Sequence, residues 1–217
     1  MITFERFLEL FYKKAKIEPH VTLAQIRKQI RLNFTRLCHS GIINGTYIKR
    51  YRKYFEQLNV FYNIGNCTKG FPSQDENVCI FVENNPSIII SKKAKAYCKN
   101  SSVWLFENAK AYCINCDIDC LENSKVIAYK CSNIRISCNA KGLLKYCNDI
   151  VAEEDSTVRL CGNCIVHALN DAIITASDMC FIAAENRVKI IAREYTHIFA
   201  YEYVSIEADE TCSIKRV

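Results

Sequence analysis

Ser124-Lys-Val-Ile-Ala-Tyr-Lys-Cys-Ser-Asn-Ile-Arg-Ile136 holds one structural unit and most of its copy. Ser124, Val126 and Ala128 alternate with Lys125 and Ile127, and a step of eight residues lands on Ser132, Ile134 and Ile136. The same step reaches Ala140, Gly142 and Leu144, then Asn148, Ile150 and Ala152, and runs on to Cys212 and Ile214. From Cys116 onward it never slips. Upstream, triads begin at Val78, Pro86, Ala94, Ser101 and Ala109 with two steps of seven, making eighteen triads in all. Apolar residues at period two mark a half-buried strand. One octad buries nothing by itself, so the repetition implies strands stacked coil on coil around a shared core.

The residue before a triad is often Asn or Asp, as at Asn77, Asn85, Asn100, Asn108, Asn115, Asn123, Asn139, Asp155, Asn163 and Asp171. These side chains tolerate left-handed backbone and suit a recurrent corner. Cys131 and Cys147 replace Asn in that slot. The first slot of the triad is mostly small, the second mostly β-branched and the third Ala or Leu, which describes a narrow interior. The expected fold is mainly β: a parallel β-solenoid with a small N-terminal helical head. Third slots twenty-four residues apart (Leu105, Ala128, Ala152, Ala176, Ala200) favour a three-sided, right-handed β-helix. A flat two-sided coil of sixteen residues is the alternative.

The octads Asn100-Ser-Ser-Val-Trp-Leu, Asn123-Ser-Lys-Val-Ile-Ala and Asp155-Ser-Thr-Val-Arg-Leu carry a resemblance. They resemble the bacterial and phage β-helix proteins built on Asn-Ser/Ala-x-Val-x-Ala-x-x. The likeness covers about two thirds of the chain and implies architecture alone, because such solenoids serve adhesion, polymer formation, carbohydrate processing and inhibition alike.

The 217 residues divide by pattern into 1–74, a basic helical head and linker, and 75–217, the solenoid. In the head, Phe4, Phe7, Leu8, Phe11 and Tyr12 share a helical face, with Thr3 placed to cap it and Pro19 to end it. A second helix is predicted from Thr22 to Cys38 and a third from Thr46 to Leu58, with a linker over 63–77. This head is placed to cap the N-terminal end of the stack, whose open edge needs cover. Residues 1–70 hold thirteen Lys and Arg against four Glu, a balance of +9, whereas the remainder holds sixteen against nineteen, or −3. Neither a signal peptide nor an apolar stretch near the roughly 18 residues of a membrane span is present. A cytoplasmic protein without a membrane partner is expected.

The fourteen cysteines include Cys113-Ile-Asn-Cys116 and Cys161-Gly-Asn-Cys164, both with zinc-ligand spacing. The repeat assigns them otherwise. Cys98, Cys113, Cys116, Cys120, Cys164, Cys180 and Cys212 stand where other octads have Ser or Ala, so they read as small core residues in a reducing compartment, with no metal and no cofactor. Asp117 and Asp119 form a possible carboxylate pair, and Arg135, Arg159, His167 and His197 are scattered outward. At a twenty-four-residue step the two aspartates meet Lys141 and Leu143, so no catalytic set assembles and no enzyme is expected.

Two groups remain as site candidates. Arg27, Lys28, Arg31, Arg36, Lys49, Arg50, Arg52 and Lys53 offer a cationic surface for nucleic acid or another acidic partner through residues 1–60. Tyr195, Phe199, Tyr201 and Tyr203 offer a protein interface or a site of homo-oligomerisation near the C-terminal end. The resulting expectation is a non-enzymatic binding or scaffold protein whose basic head contacts an acidic partner, a nucleic acid or a protein that handles one. A phage-type inhibitor is one version. The alternatives are a carbohydrate-active or carbohydrate-binding β-helix and a self-assembling structural protein.

Overall fold

The computed structural model describes residues 2–19, 22–64 and 78–217. Four helices come first: α1 (Phe4–Ala15), α2 (Leu23–His39), α3 (Gly45–Arg50) and α4 (Arg52–Gln57). Thr3 caps α1 by accepting from the Arg6 N–H at 3.2 Å. Thr22 and Gln25 form a reciprocal capping box on α2. The single third helix expected from Thr46 to Leu58 is broken at Tyr51, whose backbone (φ −118°, ψ 32°) leaves the helical region. Residues 65–77, most of the expected linker, lie outside the described residues, as does the corner residue Asn77.

The strands alternate between two parallel sheets. The first ten are β1 (Val60–Tyr62), β2 (Cys79–Glu83), β3 (Ile88–Ile90), β4 (Lys95–Lys99), β5 (Ser102–Leu105), β6 (Lys110–Ile114), β7 (Asp117–Cys120), β8 (Lys125–Tyr129), β9 (Ile134–Ile136) and β10 (Lys141–Lys145). Then follow β11 (Ile150–Ala152), β12 (Thr157–Cys161), β13 (Ile165–Ala168), β14 (Ile173–Ala176), β15 (Phe181–Ala184), β16 (Lys189–Ala192), β17 (His197–Ala200), β18 (Ser205–Ala208) and β19 (Ser213–Arg216). The first sheet takes β1 and every even strand; the second takes the remaining odd strands. Register advances by sixteen residues per coil, as from Lys125 to Lys141 and Lys141 to Thr157, or by fifteen where a corner is shorter, as from Lys95 to Lys110 and Lys110 to Lys125.

The coil is therefore flat and two-sided, and the three-sided expectation is corrected. Each corner reverses the chain, so two octads close a coil. The twenty-four-residue comparison misled because Ala recurs in the third slot of nearly every later octad, whichever sheet that octad joins.

The inward triads form one continuous core from Phe61 and Val78 to Val204. Two slots differ from expectation. Cys131 and Cys147 point inward and are buried, whereas Ser132 and Asn148 are exposed. The tight corner that brings Cys98 to Ser101 and Cys113 to Cys116 is kept at Ala128 to Cys131 and Leu144 to Cys147. The residue that restores the sixteen-residue coil is inserted after the corner. Asn100, Asn115, Asn139, Asp155 and Asp171 adopt the left-handed conformation expected of them, but Glu107 and Glu122 take it in place of Asn108 and Asn123.

At one corner a column of thiols and hydroxyls runs up the stack, and each side chain donates to a carbonyl of its own corner. Ser101 Oγ reaches Lys99 O at 2.8 Å, Cys116 Sγ reaches Ile114 O at 3.3 Å and Cys131 Sγ reaches Tyr129 O at 3.5 Å. Cys147, Cys164, Cys180 and Thr196 repeat the bond. Cysteine thus does a serine's work at these positions. All thirteen described cysteines are free thiols.

The helical head has its own core, centred on Phe7, Phe11, Phe34 and Phe55, which continues through Val60 onto Cys79, Phe81 and Tyr97 of the first sheet. The head lies against the outer face of β2 and β4, and its segment Val60–Tyr62 supplies the first strand of that sheet by pairing with β2. The sheet thus begins within the segment expected to be head.

Candidate binding surface

The cations expected to form one surface on the head divide by partner. Arg31 clamps α2 to the solenoid: its guanidinium donates to Val78 O at 2.9 Å and also to Lys93 O. Arg27 Nε donates to Gln57 O at 3.0 Å, and Arg36 donates to Asn33 Oδ1 and Ala15 O. Arg52 pairs with Glu56 at 2.7 Å. These four work largely within the fold. Lys28, Lys49, Arg50 and Lys53 are exposed, and no carboxylate among the described residues pairs with them. Lys49 sits 4.6 Å over the Tyr62 ring and Arg50 5.4 Å over Tyr51, which holds both heads above aromatic faces. The tyrosines between them, Tyr47, Tyr51 and Tyr54, turn toward the Phe7 ring and are partly buried.

The register creates a second cationic feature. Lys95, Lys110, Lys125 and Lys141 occupy the same outward slot on β4, β6, β8 and β10. Beside them runs an outward column of Tyr97, Tyr112, Ile127 and Leu143. All of these except the buried Tyr97 line, together with Thr35 of α2, a groove of about 440 Å³. Ile127 is 46% and Leu143 39% exposed, although both lie mid-sheet. Lys95 Nζ donates to Arg31 O at 3.1 Å, and burial lowers its pKa. Lys110, Lys125 and Lys141 make no ion pair with a described residue. Glu122, the carboxylate nearest Lys125 in sequence, accepts instead from the Glu107 N–H at 2.8 Å. Sequence reasoning missed this row because it requires the coil length; the recurrence of Lys at steps of fifteen and sixteen was the available signal.

The four C-terminal aromatics are exposed, and no ring contact joins any two of them. Tyr195 lies at the corner before β17, Tyr201 and Tyr203 at the opposite corner after it, and Phe199 on the sheet between. On the second sheet Asp119 lies opposite Trp104 fifteen residues before it and Arg135 sixteen after it, and Asp117 accepts from Asn133 Nδ2 at 3.0 Å. Burial raises the Asp119 carboxyl. Arg135 pairs with Glu153 at 2.6 Å, and His167 Nε2 lies 3.1 Å from Glu185. No nucleophile accompanies either pair in the hydrogen bonds of the described residues. His197 stacks on Phe181 with ring centroids 4.8 Å apart, and Arg159 is exposed on the first sheet.

Cys113 and Cys116 both point inward, on either side of a corner, and no group of three or more His, Cys, Asp or Glu among the described residues is placed to hold a metal. No described helix is long and apolar enough to cross a membrane. No protein-family model, curated protein or solved structure matches the chain.

Proposed function

We propose that this protein is a non-enzymatic binding scaffold, in which a rigid β-solenoid carries a basic head that contacts an acidic partner. The observation that carries the reading is the set of exposed head cations, Lys28, Lys49, Arg50 and Lys53, left without carboxylate partners among the described residues in a segment of balance +9. Arg31 is spent on backbone carbonyls within the fold, whereas Lys49 and Arg50 rest over tyrosine rings that leave their charges open to solvent. Phosphates of nucleic acid, or the carboxylates of a protein that mimics or handles it, complete their coordination. The free thiols suit a reducing compartment, so the cytoplasm is the proposed location.

The test titrates the full chain against labelled single-stranded DNA, double-stranded DNA and polyglutamate between about 50 and 300 mM salt. Binding to one of these that weakens steeply with salt is expected. The triple reversal Lys49→Glu, Arg50→Glu and Lys53→Glu is expected to weaken it about tenfold or more. Failure to bind any polyanion at the lowest salt, or equal binding by the variant, would remove the head from the account. Cleavage of any polysaccharide in a panel would replace the scaffold reading with a carbohydrate-active one.

A further inference from the structure

Lys95 is held by Arg31 O, but Lys110, Lys125 and Lys141 in the same row make no ion pair with a described residue. Parallel pairing stacks Lys95, Lys110, Lys125 and Lys141 at one slot, about 4.8 Å from coil to coil. Like charges directly opposite each other on a sheet are destabilising. The same column carries Thr157 and Ile173 on the next two strands, so the slot itself does not demand lysine. Next to the row, Ile127 and Leu143 expose aliphatic surface that a soluble sheet face normally covers or avoids. Thr35 of α2 borders the groove, whose floor is shared by β4, β6, β8 and β10.

We propose that this groove docks an amphipathic acidic α-helix of a partner protein, laid along the solenoid axis with about one carboxylate per turn facing the lysines. The spacing supports the match. A helix advances about 5.4 Å per turn against about 4.8 Å per coil, so the two steps from Lys110 to Lys141 accumulate a mismatch of only about 1 Å, which flexible lysine stems absorb. The helix's apolar stripe covers Ile127, Leu143 and the exposed edge of Tyr112, in the manner of helix-in-groove recognition. The fold already uses this mode: α2 rests on the same face, over β2 and β4, and its Phe34 and Leu37 belong to the core that includes Phe81 and Tyr97. Single-stranded nucleic acid fits less well, because bases stack on aromatic platforms and the most exposed floor residues, Ile127 and Leu143, are aliphatic. The site is distinct from the head cations and does not depend on their role.

The probe is a labelled peptide of about eighteen residues with a leucine stripe and one Glu per helical turn beside it, long enough to present several turns. A scrambled peptide of the same composition and a single-stranded oligonucleotide are the comparisons, all measured by fluorescence anisotropy on the full chain. The patterned peptide is expected to bind about tenfold tighter than the scrambled one and tighter than the oligonucleotide. The double reversal Lys110→Glu and Lys125→Glu should weaken it about tenfold. Ile127→Ser should weaken it as well, and Lys49→Glu with Arg50→Glu should not. Should the reversal disturb folding, judged by circular dichroism, Lys110→Gln with Lys125→Gln replaces it and is expected to weaken binding several-fold. Equal binding of the two peptides, preference for the oligonucleotide, or indifference to the sheet variants would each overturn the proposal.

Discussion

Ser124 and Ser156 occupy the same slot two coils apart, and both are fully buried. Ser124 Oγ donates to Leu121 O at 2.6 Å and lies 3.3 Å from Leu105 O, whereas Ser156 Oγ has no hydrogen-bond partner among the described atoms. The coils on either side place Ala140 and Ala172 there, and both are fully buried. A satisfied hydroxyl contributes roughly 1 kcal/mol, while an orphaned one costs about 1 to 3 kcal/mol. Ser156→Ala is accordingly expected to stabilise the protein by about 1 kcal/mol and Ser124→Ala to destabilise it by a similar amount. Urea unfolding midpoints check this, and a shift of both variants in the same direction contradicts it. Seven of the cysteines carried the same lesson in the sequence, since their exchange with Ser and Ala marked them as inward. The phase error at Cys131 and Cys147 came from counting octads, because a residue inserted beyond a corner leaves the count unchanged while moving the corner.

At the scale of strands, the core balances volume across each corner from the second sheet to the first. Early coils place a large third slot before a small second slot: Ile90 before Ala96, Leu105 before Ala111, Ile136 before Gly142. Later coils reverse the order, with Ala152 before Val158, Ala168 before Ile174 and Ala184 before Ile190. Gly142 shows why. A Cβ there would lie 2.4 Å from Ile136 Cδ1, so the isoleucine already fills the space a side chain would take. Gly142→Val is expected to cost at least 1 to 3 kcal/mol by overpacking, and Ile136→Ala about 2 to 5 kcal/mol by cavity formation. Combined, they should recover about 1 kcal/mol or more of that sum. Strict additivity in a double-mutant cycle would show that the two do not share one volume. The strand positions were legible from period-two alternation, and the broken third helix was not. Tyr51 leaves helical geometry while its ring packs toward Phe7, a tertiary preference that no local pattern carries.

The whole molecule is a stack in which the first sheet alone spans ten strands, about 43 Å at the usual strand spacing. Its architecture was written in the sequence because each octad repeats the same demands on inward slots. The outward surface was not, because neighbours there are residues a full coil apart and the octad is only half a coil. This gives the repeat a parity. Beyond Cys164 every triad is eight residues from the next, so deleting Ala172–Met179 leaves the interior in phase yet sends each later strand to the opposite sheet. Deleting Ala172–Arg187 removes a full coil and leaves the faces as they were. Both variants are expected to fold, as circular dichroism would report. Lysine cross-linking tells them apart: Lys189, which shares a column with Lys141, should still join it after the sixteen-residue deletion and should fail to after the eight-residue one. Cross-linking in both would show that the strands had not changed sides. A lineage that gains or loses single octads would thus keep its fold and exchange its two faces, whereas change by pairs would lengthen the molecule and preserve what each face presents.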